Sequence, residues 1–224
     1  DIKKMYMAYD KWPELATNAY DFTFKKINFS EIDHIVFAGM GGSGTIGDIF
    51  SAIFSKTEIH ITNVKGYLLP KTIDSKTLVI TISVSGNTKE TLTVLESASK
   101  MNCRVIAFSS GGQVEKFCLE NNVEYRKIEK IHSPRVSLVN FLYSILKILE
   151  PILSIKPDDV VDSIKKMRKL RDLISSNNLN EKNDSLNIAK WITGIPMIYY
   201  PNGLQAAAIR FKNNLQENSK THAI

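Results

Sequence analysis

The chain has 224 residues, enough to bury a full core in one large or two small domains, and 43% hydrophobic against 23% charged residues is a globular balance that excludes a disordered or fibrous class. Its net charge of +6 comes from 29 Lys and Arg against 23 Asp and Glu. The basic residues are scattered instead of forming one stripe, which argues against nucleic acid and leaves an anionic small molecule open. Cys103 and Cys118 sit in apolar surroundings without a CxxC spacing, so neither a disulfide framework nor a zinc site is expected, and a reduced cytoplasmic interior is implied. No secretory pattern opens the chain, which runs from Asp1 to Ile224 and reads as a fragment or processed chain.

In chain order, Tyr9 to Lys25 carries apolar residues at helical spacing and predicts a first helix. His34 to Ala38 is a continuous apolar run of strand length, ending in Gly39-Met-Gly-Gly-Ser-Gly44, and a helix is expected from Thr45 to Ser55. Strands follow over Ile59–Val64 and Thr77–Ser83, then a Ser/Gly/Asn turn and a helix over Lys89–Met101. A strand Arg104–Phe108, a Gly111-Gly112 turn, a helix Val114–Asn121 and a strand Val123–Lys127 continue the alternation. Such alternation through short turns predicts an α/β fold with a parallel sheet covered on both faces, a flavodoxin- or Rossmann-like sandwich. In these sheets ligands bind at the carboxyl ends of the strands, where both glycine/serine turns fall.

The most apolar run, Val136 to Leu153, is broken by Asn140, Lys147, Glu150 and Pro151, so it reads as a buried helix and no membrane span is expected. Pro157-Asp-Asp starts a charged helix reaching about Ser175, with Lys165, Lys166, Arg168, Lys169 and Arg171 on a solvated face. A polar loop is expected over Ser175–Asp184. A second strand-turn-helix then follows: Ile195–Tyr200, Pro201–Leu204 and a helix from Gln205 to Asn218. It echoes the opening of the first unit, so residues 1–152 are expected to form one domain and 153–224 a linker helix plus the start of a related second domain.

Gly39 to Gly44 satisfies GxGxxG, but the dinucleotide reading needs an acid at the end of the second strand, where Lys65-Gly66 stands. Ser83-Val-Ser-Gly-Asn-Thr88 is more informative. Its three hydroxyls and one glycine cluster at a helix start, where unpaired N–H groups and the helix dipole attract a phosphate. The same residues are also ordinary helix caps, and one such loop would not separate capping from binding. Two such loops, at Gly42-Ser43 and Ser83–Thr88, favour a phosphate.

Together, Gly39-Met-Gly-Gly-Ser-Gly44, Ser83-Val-Ser-Gly-Asn-Thr88-Lys-Glu-Thr91, Pro134-Arg135-Val-Ser-Leu138 and Glu217-Asn-Ser-Lys220 resemble the bifunctional phosphoglucose/phosphomannose isomerases of the sugar isomerase (SIS) superfamily. The resemblance implies a SIS-type fold of two similar domains per subunit, a homodimer, and a sugar phosphate as the partner. The activity implied is aldose–ketose isomerisation of glucose and mannose 6-phosphates with fructose 6-phosphate through a cis-enediolate. Carried over by motif, Gly42, Ser43, Ser83, Ser85 and Thr88 would hold the phosphate, Glu217 would be the base and Arg135 would lie beside the reacting end. No redox step occurs, so no metal or organic cofactor is implied. The family's ring-opening histidine and later lysine have no matching position here, and His222 is too close to Glu217 to be that histidine. Alternatives in view are a non-catalytic phosphosugar-binding module and another SIS sugar-phosphate isomerase, with a nucleotide-binding dehydrogenase poorly supported.

Overall fold

A computed structural model describes residues 4–24, 27 and 29–224. Five strands, β1 (His34–Ala38), β2 (His60–Val64), β3 (Thr77–Ser83), β4 (Arg104–Ser109) and β5 (Glu124–Lys127), form one parallel sheet in the order β2-β1-β3-β4-β5. Helices α1 (Met5–Asp10) and α2 (Trp12–Asp21) precede it, and α3 (Gly42–Phe54), α4 (Lys89–Ala98) and α5 (Gly112–Glu120) alternate with the strands. Four more follow: α6 (Leu138–Leu149), α7 (Pro157–Ile174), α8 (Asp184–Trp191) and α9 (Gln205–Asn214). The strand order reverses between β1 and β3, and the crevice outside their carboxyl ends is where such sheets take ligands.

Side chains alternate across a strand with period two, and here the two faces differ in size. Ile35, Phe37, Leu78, Ile80, Ile82, Ile106 and Phe108 pack with residues of α2, α3, α6 and α7, including Phe50, Phe54 and Phe141, in the larger core. Val36, Ala38, Val79 and Ala107 face the other way, against Val94, Leu95 and Ala98 of α4 and Val114 and Cys118 of α5. Because every residue of β1 and β3 is buried, both strands read as unbroken apolar runs.

The five strands predicted between His34 and Lys127 lie within a residue of those observed, and the α/β sheet is as expected. Three local differences have physical causes. The first helix splits at Lys11, because Pro13 has no N–H to give and its ring would meet the carbonyl of a preceding turn; Lys25, its expected end, lies outside the described residues. In place of a loop running through Asp184, α8 begins there. It is capped by the Asn183 side chain, which accepts from the Leu186 N–H at 2.9 Å.

The third difference is at Ile195–Tyr200, which is not a strand. Its backbone exchanges one pair of bonds with Ile224: the Ile198 N–H donates to Ile224 at 2.9 Å, and the Ile224 N–H to Pro196 at 3.1 Å. One rung does not make a ladder, and Tyr199 is left 85% exposed. Beyond α9, Leu215–Ser219 widens into a π turn that ends at Lys220 in the left-handed conformation. Among the described residues, no helix is long and apolar enough to cross a membrane.

Candidate functional site

The two serine/glycine loops leave the adjacent strands β1 and β3 at the point where the strand order reverses. In the first, Gly42 and Ser43 open α3 without any side-chain cap at Gly41. Gly44 is required by close approach, since a Cβ there would lie 2.8 Å from the Gly39 carbonyl oxygen. The GxGxxG spacing therefore tightens the β1–α3 turn. Where a ribose-binding acid would stand, Lys65 instead pairs with Asp48 at 2.6 Å.

In the second loop, the buried Ser83 hydroxyl donates to Thr88 Oγ1 at 3.0 Å and accepts from the Gly86 N–H at 3.1 Å. The exposed Ser85 hydroxyl accepts from the Asn87 N–H at 3.3 Å. Thr88 occupies the N-cap of α4, yet its side chain caps nothing. The Ser83 and Ser85 hydroxyls thus serve backbone N–H groups of their own loop, and no side chain caps the first N–H groups of α4.

A second glycine turn holds this loop in shape. Gly86 has φ +68°, and a Cβ on it would fall 1.7 Å from the Gly111 carbonyl oxygen. The Val114 N–H donates to the Gly86 carbonyl at 2.9 Å, and the Ser110 hydroxyl to the Val84 carbonyl at 2.5 Å.

Beside the first loop opens a cavity of about 370 Å³. Met40, Gly41, Gly42 and Thr45 line one side, Ser133, Pro134 and Arg135 a second, and Arg210, Asn213, Asn214 and Glu217 a third. Arg135 and Glu217 are 82 residues apart in sequence and form an ion pair here through Nε and Oε2. Arg135 Nη1 also donates to Asn218 Oδ1 at 3.3 Å. Their side chains are 38% and 46% exposed.

Arg135 sits on a turn that the fully buried Ser137 ties together. Its hydroxyl accepts from the Ile131 N–H at 2.9 Å and lies 2.9 Å from the Ser133 carbonyl. Of the seven residues predicted for the site, Gly42, Arg135 and Glu217 share the cavity. Ser43, Ser83, Ser85 and Thr88 do not line it, though they belong to its flanking loops. Burial pushes the Cys118 thiol up to about 11 and raises that of Cys103 as well, which disfavours the thiolate at both.

Sequence reasoning missed Arg210, Asn213 and Asn214. The signal was present: positions 210, 213, 214 and 217 are spaced i, i+3, i+4, i+7, which is one face of a helix. With Glu217 singled out, its own helical face could have been read for the rest.

Comparison with known proteins places these observations. The model of the SIS domain matches residues 28–149, and that of the bacterial phospho-glucose isomerase C-terminal SIS domain matches residues 181–224. A bifunctional phosphoglucose/phosphomannose isomerase of Caldicellulosiruptor bescii is 30% identical over 220 residues, covering 94% of this chain and 65% of that protein. One of Thermoplasma acidophilum is 34% identical over 204 residues, covering 90% and 59%. The chain thus spans about two thirds or less of the length of these relatives. Among solved structures, the C-terminal domain of glucosamine-fructose-6-phosphate aminotransferase from Francisella tularensis shares the fold. Its TM-score is 0.68 at 18% identity, covering 97% of this chain and 69% of that one.

Proposed function

Because this chain belongs to the SIS domain family, we propose that it takes part in aldose–ketose isomerisation, interconverting glucose 6-phosphate and mannose 6-phosphate with fructose 6-phosphate. The phosphate is held by the hydroxyls of Ser43, Ser83, Ser85 and Thr88, by the Gly42 turn and by the starts of α3 and α4. With the sugar opened, its C1–C2 edge lies in the cavity between Arg135 and Glu217. The Glu217 carboxylate takes the proton from C2 and returns it to C1, while a hydroxyl proton passes from O2 to O1. Negative charge builds on the enediolate oxygens, and the Arg135 guanidinium, always charged and presenting several donors, stabilises it. The Arg135–Glu217 pair of the free protein opens to admit the substrate. Residues 1–152 are proposed as one SIS domain and 153–224 as a linker helix with the start of a second, in a cytoplasmic homodimer.

The observation that carries this reading is that two residues 82 positions apart meet at one cavity beside a helix start. A base and an oxyanion partner need that proximity, and the cavity gives a sugar room beside both. The test is turnover of fructose 6-phosphate by wild type and Glu217→Gln. Loss of roughly a hundredfold or more in the variant supports general-base catalysis. The alternative is a phosphosugar-binding module, favoured by the exposure of Glu217 and its engagement by Arg135. It would be indicated by no wild-type turnover and by fructose 6-phosphate binding that survives Glu217→Gln but not Ser85→Ala.

A further inference from the structure

The turn that presents Arg135 is held at two consecutive carbonyls by side chains from opposite ends of the chain. Trp12, at the start of α2, donates from Nε1 to the Val136 carbonyl at 2.9 Å. Arg210, on α9, donates from Nη2 to the Arg135 carbonyl at 2.7 Å. The two side chains also contact each other, with the Arg210 guanidinium 5.5 Å from the centre of the Trp12 ring. A planar cation stacked on an indole face is attracted by it, and stacking leaves the guanidinium edge free to donate. Arg210 also borders the cavity, as does Glu217 seven positions later in the π turn. A single side chain therefore links three things: the helix that leads into the π turn carrying Glu217, the backbone that carries Arg135, and the aromatic ring beside both.

The chemistry gives that link a function. Arg135 has to meet Glu217, and later an enediolate oxygen, from one direction. Its side chain is long and 38% exposed, so neighbouring packing does little to restrict it. What can be restricted is the orientation of its peptide, which sets where the side chain starts. Val136 and Ser137, fully buried, hold the far side of that peptide, and the Arg210 bond holds its carbonyl. Burial lowers the Arg210 pKa from its ordinary value, but an arginine keeps its charge where a lysine would give it up more readily.

We propose that Arg210 is a positioning residue which, stacked on Trp12 and bonded to the Arg135 carbonyl, sets the direction from which the Arg135 guanidinium meets Glu217. Its kinetic consequence rests on the isomerase reading; the positioning itself does not.

Two measurements on the full chain test it. The first is the Nε–H resonance of Arg135, assigned by its loss in Arg135→Lys. It is expected to be protected from exchange in wild type and broadened in Arg210→Met, whether or not the protein turns over. The second is kinetic. Arg210→Met should lower kcat for fructose 6-phosphate about tenfold or more with KM nearly unchanged, because the phosphate loops stand on other elements. Added to Arg135→Ala it should cost nothing further, since a residue acting through another is silent once that one is gone. Arg210→Lys, which keeps a donor, should recover part of the loss and stands in if Arg210→Met does not fold. An unchanged Nε–H signal, or an equal kinetic loss with and without Arg135, would overturn the proposal. Absence of wild-type turnover would sink the isomerase reading alone, leaving the resonance to decide on Arg210.

Discussion

The sheet body and the segment after α7 are held together by different means. In the body, Phe50, Phe108 and Phe141 are fully buried, and both faces of the sheet are covered by helices. In residues 181–224 the buried apolar side chains are Ala206 and Ala223, while Trp191, Ile195, Met197 and Tyr199 are 79%, 57%, 61% and 85% exposed. The body supplies the loops proposed to hold a phosphate and Arg135, and the segment supplies Glu217. The residues proposed to hold a ligand thus stand on the buried core. The proposed base reaches the cavity on a helix anchored by packing against α3 and by the Arg210 bond. Stability and chemistry should therefore separate under mutation.

The largest effect expected on stability is in the body. Phe50→Ala should cost about 3–5 kcal/mol, since it removes a large side chain from a site with no solvent access. Trp191→Ala should stay within about 0.5 kcal/mol, as exposed substitutions do. Urea unfolding of both variants measures the contrast, and equal losses would break it. Next is Gly86→Ala, where a methyl group would strike the Gly111 carbonyl in a backbone conformation that disfavours alanine. A loss of about 1–3 kcal/mol is expected, together with loss of fructose 6-phosphate binding, because the shape of the Ser83–Thr88 loop is at stake. Calorimetric titration of the folded variant checks the second part; retained binding would detach that loop from the ligand.

The smallest effect is a pH dependence confined to the body. His34 is buried at the amino end of the sheet, with Thr62 Oγ1 at 2.9 Å and Thr77 Oγ1 at 3.3 Å from its ring nitrogens and the His60 ring alongside. Burial lowers its pKa, the His60 charge adds to this, and Asp74 and Asp33 oppose it. The unfolded chain then binds a proton that the folded chain refuses. Stability should accordingly decline as pH falls through about 6.5, by at most about 1.4 kcal/mol per pH unit from this group. Comparing urea midpoints at pH 7.5 and 5.5 for wild type and His34→Phe isolates the contribution; an identical pH dependence in both would exclude His34 as its source.

How much was legible depended on how local each feature is. The runs His34–Ala38 and Thr77–Ser83 predicted their strands to the residue, because a fully buried strand needs nothing but apolar residues between turn signals. The cap at Asn183 was equally local, yet the polar stretch around it hid α8. Ile195–Tyr200 reads as a strand by composition. A strand, however, exists only when neighbours accept its hydrogen bonds, and this one meets a single rung at Ile224.

The order of strands and helices, the glycine turns and the hydroxyl loops were determined by the sequence itself, since each rests on side-chain period, backbone freedom or helix-end chemistry within a few residues. The meeting of Arg135 with Glu217 and the Trp12–Arg210 brace were decided only by tertiary structure. They depend on how α9 packs against α3 and how Arg210 reaches Trp12, and no pattern local to either partner encodes a contact across 82 or more residues.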